Sequence, residues 1–533
     1  MRVILWVGCV FCFLACSTST VAVNEESSSS KSSSSVKSVL EGSSSSDRSN
    51  ASSASVLSSS FATGSSRSEN SNSSEDQYLS ECEGTPGVPW DGTTAKKFAC
   101  GSGTKFSPYI ILTAEQLALL SFATGAQDAD YVGKYFKLGA DILLSDKTLI
   151  DENGALVADS SSLEKWTPIG NSSVMFTGFF DGDGHSVSGM FINTTSSHNG
   201  LFGSNAGTVE NVTLKNSWIM GGNFTAGIVG YDYGIVSNVA NEVSVVGNGD
   251  CTGGIVGETY EKNRNYPAIK MVRNEGYISG KDKVGGVIGC LKFSDMSDAV
   301  NNGDVVGNEY VGGVAGFFSF LGDRIVDNIQ NYGNVTGSSD YVGGIAGLGA
   351  TYARISCYSG IFHLSGSLKS LYNAGDVVGK NFVGGLFGQA CGTSITNGAN
   401  RGSVIGENTV GGLLGNIGYS TTENLYNRGE VAGAMRVGGI IGYNQEGVTS
   451  SAYTTAKVDG DSLVGIMIGE NYNTTMADYY YIAVDGLEPF GVNNGGGSAT
   501  VKASEEMKSS DFAELLGDAW SINLSVNDGY PSW

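Results

Sequence analysis

Over more than half of the chain one heptapeptide returns at a nearly constant interval, and that return limits the fold more than any other feature. The copy Tyr310-Val311-Gly312-Gly313-Val314-Ala315-Gly316 has counterparts at Phe224–Gly230, Cys251–Gly257, Lys283–Gly289, Tyr341–Gly347, Phe382–Gly388, Thr409–Gly415, Arg436–Gly442 and Leu463–Gly469, with a weaker forerunner at Ser197–Gly203. Along Gly200, Gly227, Gly254, Gly286, Gly313, Gly344, Gly385, Gly412, Gly439 and Ile466 the steps are 27, 27, 32, 27, 31, 41, 27, 27 and 27. A fixed period of this size means stacked supersecondary units, each covering its apolar face only when a neighbour lies against it.

A second block, Asn-x-Gly-x-Val-x-Gly, precedes most copies: Asn274–Gly280, Asn301–Gly307, Asn331–Gly337, Asn373–Gly379, Asn400–Gly406 and Asn427–Gly433, with degenerate forms at Asn241–Gly247 and Thr454–Gly460. Its residues alternate with the strand period of two. Ile278, Val305, Val335, Val377, Val404, Val431 and Val458 form one apolar column, and the residue before each varies and is usually polar. Short β-branched strands broken by glycine suit a parallel β-helix better than a helical repeat, because Gly and Val are poor helix-interior residues. The expected fold is therefore all-β: a right-handed parallel β-helix, or β-solenoid, of about ten 27-residue coils. Each alignment column then becomes a ladder with a spacing of roughly 4.8 Å. The invariant last glycine of the heptapeptide marks a corner needing positive φ or no Cβ. Asn241, Asn274, Asn301, Asn331, Asn373, Asn400 and Asn427 are expected to stack as amides bonded coil to coil, as in cross-β ladders.

The Val-Gly-Gly-[Ile/Val/Leu]-x-Gly pattern resembles the Glug motif, found in bacterial surface proteins and beside the β-helical N-terminal region of the M26 IgA-specific metallopeptidases. The resemblance covers roughly residues 135–490 and implies a secreted β-solenoid, often in adhesin-like proteins; it implies no activity. Asp181-Gly182-Asp183-Gly184-His185 could by composition bind calcium or serve acid/base chemistry. However, the segment also resembles the entry coil of this family, with Asp183 and Val187 aligned on the later Asn and Val columns.

The remaining chain reads as address, tether and caps. Residues 1–15 combine Arg2 with an apolar run, Val3–Leu14, too short to span a bilayer but suited to a signal peptide. The run ends in Phe13-Leu14-Ala15-Cys16, which resembles a bacterial lipobox and would make Cys16 a lipidated N-terminus; the alternative is cleavage around Val21–Val23 and release. Residues 16–81 are dominated by serine and read as a disordered tether. Residues 82–134 form an N-terminal loop and capping helix. There Cys82 and Cys100 bracket a loop-rich stretch and read as a disulfide. Thr113-Ala114-Glu115-Gln116 is a capping box, so an amphipathic helix is expected over 114–123 as a lid. The solenoid takes 135–490. Residues 491–533 form a C-terminal cap, with Ser504 starting a helix that, with Trp520–Trp533, closes the second end. Cys251, Cys290 and Cys391 read as small buried residues rather than ligands, while the redox state of these three and of Cys357 is left open.

The lengthened steps put their extra residues at 258–270, 317–328 and 348–370, always between a heptapeptide and the next Asn. Insertions gathered on one edge are the usual place for binding in repeat proteins. They carry Tyr260, Tyr266, Phe317, Phe318, Phe320, Tyr352, Tyr358, Phe362 and His363, side chains suited to contacting protein or stacking on sugar rings. No catalytic residue, metal site or cofactor is assigned: among His185, His198 and His363 there is no H-E-x-x-H, so the peptidase chemistry of the M26 relatives does not carry over. Asp304, Asp376 and Glu430 share an outward column but on alternate coils, roughly 10 Å apart, too far for a retaining carboxylate pair. The 53 acidic against 30 basic residues, net −23, argue against nucleic acid or anionic membrane as partners. The sequence thus points to a non-enzymatic, monomeric, adhesin-like protein, lipid-anchored at the cell surface and binding extracellular carbohydrate or protein. A polysaccharide-active β-helical enzyme, a biofilm spacer and simple secretion are the alternatives.

Overall fold

In the computed structural model the described residues are 82–533, apart from 263, 265, 321, 352–356 and 358–365. The expected lipidation position Cys16 and the contact candidates Tyr352, Tyr358, Phe362 and His363 lie outside them. The described chain winds into a parallel β-solenoid of roughly 13 turns. One regular turn shows the plan. A first face is made by Asp295–Asn301, a second by Val305–Gly307 and Glu309–Gly312, and a third by Ala315–Phe320. Each strand pairs in parallel with its equivalent on the neighbouring turn, as Asn301 does with Asn274 and Asn331.

The count exceeds the ten coils read from the repeat because turns at both ends lack the glycine motif. The first ladder strand is Tyr109–Ile111, which pairs with Tyr135–Leu138 and so begins the solenoid ahead of residue 135. The last, Ala499–Val501, lies beyond residue 490 and pairs with Tyr479–Tyr481. In these turns apolar residues replace the repeat's polar columns: Ile142, Val187 and Leu214 stand beneath Asn241. Val187, not Asp183, therefore occupies the Asn column, four residues from the alignment drawn on sequence. The first turns close over aromatic rings instead, with Phe136, Phe176, Phe180 and Phe202 buried together.

The asparagine wall is continuous. Each Nδ2 donates to Oδ1 of the next amide, at 2.7 Å for Asn241–Asn274 and Asn274–Asn301, 2.8 Å for Asn301–Asn331, 2.7 Å for Asn331–Asn373 and Asn373–Asn400, and 2.9 Å for Asn400–Asn427. Its second proton goes to the carbonyl two residues on, Gly303 for Asn301. All seven side chains are fully buried. Such burial is tolerable because the amides satisfy one another along the stack, the Oδ1 of the first, Asn241, alone lacking a partner among these seven.

The glycines explain why the wall fits. A Cβ on Gly313 would stand 2.2 Å from the Gly344 carbonyl oxygen and 2.3 Å from Asn331 Cγ, so this column is empty to admit the amide opposite. The two columns decay together. A Cβ on Gly439 would meet Thr454 at 3.2 Å, where one on Gly313 meets Asn331 at 2.3 Å, and on the next turn Ile466 replaces glycine where Tyr481 replaces asparagine. The last glycine of the motif is needed for space rather than for positive φ, since a Cβ on Gly316 would lie 2.3 Å from the Lys283 carbonyl carbon. Positive φ falls instead on the motif's first residue, at 57° for Lys283, 56° for Tyr310, 61° for Tyr341 and 54° for Phe382.

The ends differ from one another. Helix α1, Ala114–Gly125, has the full capping box, Thr113 accepting from Gln116 N while Gln116 reaches back to the cap backbone. It is buried nearly all round rather than amphipathic, and packs with Phe136, Leu138, Ile169 and Phe176 over the open first turn. Helix α2, Ser510–Leu516, is capped by Ser509 rather than Ser504. It does not close the far end: residues 507–530 fold back along the outside of the first face, where Met507, Phe512, Leu516 and Trp520 cover Ala399, Tyr426, Tyr453 and Tyr480.

Candidate functional site

All three insertions leave the solenoid between the third face and the next first face, after Val256–Thr259, Ala315–Phe320 and Ala346–Thr351. Several of their described residues are tied to the solenoid or to one another. Arg324 of the second insertion lies over the Tyr266 ring of the first at 4.3 Å and is anchored by Asp295 at 3.1 Å. Tyr260 packs edge-on against Phe293, 5.2 Å between centroids. Cys357, a buried residue of the third insertion, is bonded to Cys391 on the third face. Gly418 makes room for it, as a Cβ there would lie 2.6 Å from the Cys357 Cβ.

The expected contact residues divide accordingly. Tyr260, Tyr266 and Phe317 are half-buried at the surface. Phe318 and Phe320 are core residues at 0 and 1% exposure, which overturns their reading as ligand contacts. The reason is register. Phe318 continues the strand and points inward opposite Leu291 and Gly349, whereas Phe317 points outward opposite Cys290 and Leu348.

Beside the insertions the structure assembles a ladder that contact reasoning from sequence passed over. The positive-φ residues heading successive heptapeptides project from the corner between the second and third faces. Tyr310, Tyr341 and Phe382 stack in parallel there, with centroids 4.9 and 5.0 Å apart and ring planes within 1° and 6°. All three are half-buried. Burial and the neighbouring Glu309 carboxylate hold the Tyr310 hydroxyl protonated far above its ordinary range. Lys283 stands one turn below, paired with Asp250 at 2.6 Å, and Arg436 stands above, paired with Glu470 and set 5.4 Å from the Tyr443 ring. At the lower end His198, Phe224 and Tyr231 form a ring cluster, and burial lowers the His198 pKa so that it favours the neutral form. The signal was present in the sequence as the bulky, variable first residue of each copy.

The other cysteines among the described residues are also paired. Cys82–Cys100 closes the N-terminal loop, and Cys251–Cys290 staples two turns, so Cys251, Cys290 and Cys391 are disulfide partners rather than merely small buried side chains. Sequence reasoning missed these two bonds because their partners are 39 and 34 residues apart and meet only through the stacking of turns. Among the described residues one group, Cys251, Glu258 and Cys290, is close enough to share an ion. Its sulfurs form the disulfide, however, and Glu258 is bridged to Lys292 at 2.7 Å. Asp304 and Asp376 accept from the backbone N–H of Asn334 and Ser403 on the following turns, a role in ladder closure. Asp183 pairs with Lys137 at 3.0 Å and His185 with Asp141 at 3.5 Å.

No protein-family model matches the chain. It is similar to halomucin of Haloquadratum walsbyi, 33% identical over 139 residues, which are 25% of this chain and 1% of that protein. A protein of Evansella cellulosilytica, provisionally named a Gly-rich membrane protein, is 34% identical over 125 residues, 23% of this chain and 12% of that one. The chain thus matches only a small part of either relative. A crystal structure provisionally described as an immunoglobulin A1 protease from Bacteroides ovatus aligns over 82% of this chain and 95% of its own, with 16% identity and a TM-score of 0.31.

Proposed function

We propose that this protein is a non-enzymatic surface-binding scaffold, an adhesin-like β-solenoid of the Glug type that presents its third face to an extracellular protein or carbohydrate. The observation that carries the reading is the fixing of the insertions at one corner by the Cys357–Cys391 bond and the Arg324–Tyr266 contact. Holding loops in place before binding lowers the ordering cost that binding otherwise incurs. The half-buried rings of Tyr310, Tyr341, Phe382, Tyr260 and Phe317 on and beside that face supply anchors of the kind that dominate interfaces. Display through a lipidated Cys16 and the serine-rich tether completes the proposal, and the monomeric state belongs to it.

The test compares the full chain with a variant whose three insertions are shortened to the length of the 27-residue turns. Both are applied to a glycan array and to pull-down from extracellular matrix. Loss of binding in the shortened chain is expected; equal binding by both excludes this corner. Palmitate labelling of the exported protein, abolished by Cys16→Ser, tests the anchor.

A further inference from the structure

On the outer surface of the first face, at the N-terminal end, side-chain size changes abruptly along one column. Tyr135, Phe179, Thr208 and Ile235 are register partners on successive turns. The Tyr135 and Phe179 rings stack in parallel, 4.3 Å between centroids and within 4°. Turns are about 4.8 Å apart, so a third ring would continue the stack, yet the chain places Thr208 there. Phe179 is 42% exposed although one of its faces is covered, and Ile235 beyond Thr208 is 45% exposed. The result is a notch one turn wide, walled by a ring face and floored by a threonine.

The adjacent outward column is polar: Lys137, Asp181, Glu210 and Ser237. Asp181 Oδ1 accepts from Asp183 N and from Asn211 Nδ2, both at 2.8 Å, which fixes the carboxylate. Glu210 follows on the next turn, its pKa raised by burial and then by Asp181. The loop bearing Lys105, Pro108 and the 95% exposed Phe106 stands over the opposite side, and the whole forms an open recess of about 990 Å³.

We propose that this recess is a binding subsite for a neutral sugar unit of an extracellular polysaccharide, its ring lying in the notch against Phe179 and its hydroxyls donating to Asp181 and Glu210. A ring face left bare beside a gap of one turn suits the flat C–H face of a pyranose, which an aromatic quadrupole attracts. Ionised carboxylates accept hydrogen bonds and donate none, so they match hydroxyls and oppose uronate or sulfate groups. Three carboxylates line the recess against two lysines, and Lys137 is already paired with Asp183. The site lies on the first face and goes beyond the third-face reading, from which it is independent.

Affinity electrophoresis of the full chain tests it, in gels containing xyloglucan, galactomannan, mixed-linkage β-glucan or polygalacturonate. Retardation by at least one neutral polymer and none by polygalacturonate is expected. Phe179→Ala should weaken the retardation at least tenfold. Thr208→Phe should do the same while extending the ring stack, leaving the thermal midpoint unreduced, so it decides alone if Phe179→Ala fails to fold. The chain with shortened insertions should be retarded like the wild type, which separates failure here from failure at the third face. No retardation in any neutral gel, retardation by polygalacturonate alone, or neutral retardation unchanged in Thr208→Phe overturns the proposal.

Discussion

The two ends of the solenoid present the same physical problem and solve it differently. At the N-terminal end the first turn would leave its core open, and α1 lies across it with Leu117 and Leu120 at 0 and 1% exposure. Ser121 ties the helix down by donating to the Thr167 carbonyl at 2.8 Å. At the C-terminal end the last described strands, Phe490–Asn494 and Ala499–Val501, pair on one side only among the described residues. The apolar segment that follows serves the outer wall instead. There Tyr426 and Tyr453 stack at 5.5 Å, Tyr453 donates to the Pro531 carbonyl at 2.6 Å, and Trp520 donates to Asn424 at 3.1 Å. Here the apolar side chains of the last segment are buried against an exterior column of tyrosines.

The largest effect follows from the first half of this contrast. Leu117→Ala should cost about 2–5 kcal/mol, because it opens a cavity between the lid and the first turn. The damage should spread into the solenoid, with faster amide exchange at Ile110 and Phe136. Unchanged exchange there would mean that α1 is an ornament rather than a lid.

A buried carboxylate in the N-terminal half gives the next effect. Asp232 is fully buried, and although its Oδ1 accepts from Asn205 at 2.7 Å and Gly234 N at 3.1 Å, its Oδ2 has no partner. Burial pushes its pKa up to about 7. The folded state therefore holds the proton more tightly than the unfolded chain, and stability falls as pH rises from about 4 through about 7, with the full penalty present above that. Asp232→Asn keeps an Oδ1 able to accept from Asn205 and Gly234, as Asn205 Oδ1 accepts from Gly207 N at the equivalent position on the previous turn. The variant should gain on the order of 2–4 kcal/mol at pH 8 and nothing near pH 3. Denaturant midpoints at the two pH values read the difference, and equal gains at both would dismiss the buried charge as the cause.

The second half of the contrast gives a smaller, local effect. Ending the chain at Lys502 should uncover Tyr426, Tyr453 and Tyr480 while the turns up to Tyr472 keep their exchange protection, since their ladder bonds run within the solenoid. Loss of protection throughout would show that the folded-back segment acts as a true cap, and the two ends would no longer differ in kind.

What the sequence made legible follows the same division. The 27-residue register, the asparagine wall and α1 with its capping box were readable because they depend on short-range pattern. The pairing of Gly313 with Asn331 across the interior, the outward ring ladder of Tyr310, Tyr341 and Phe382, and the disulfides at Cys290 and Cys391 depend on which residues become neighbours once turns stack. Insertions of unequal length blur that arithmetic. The destination of residues 503–533 was least legible, because a capping signature such as Ser509 states where a helix begins and not what it covers. Phe317 and Phe318 part company for a related reason: adjacent strand residues face opposite ways, so Phe318, opposite Leu291 and Gly349, points inward while Phe317 stays at the surface.

The smallest effect sharpens the comparison by its sign. Asp528 in the folded-back segment is held by Arg428 at 2.5 Å and Arg401 at 3.0 Å, and the Arg428 contact lowers its pKa. Its side chain is 62% exposed, so solvent screens the pair and the contribution to stability is minor. A carboxylate with a depressed folded pKa stabilises above its unfolded value and loses that contribution as pH falls through the folded one. The segment should therefore loosen below about pH 4, opposite in direction to the response of Asp232. Tryptophan fluorescence from Trp520 and Trp533, compared between wild type and Asp528→Asn, should show an acid transition in the first that is absent from the second. Identical curves would assign the segment's hold to the tyrosine and tryptophan packing alone.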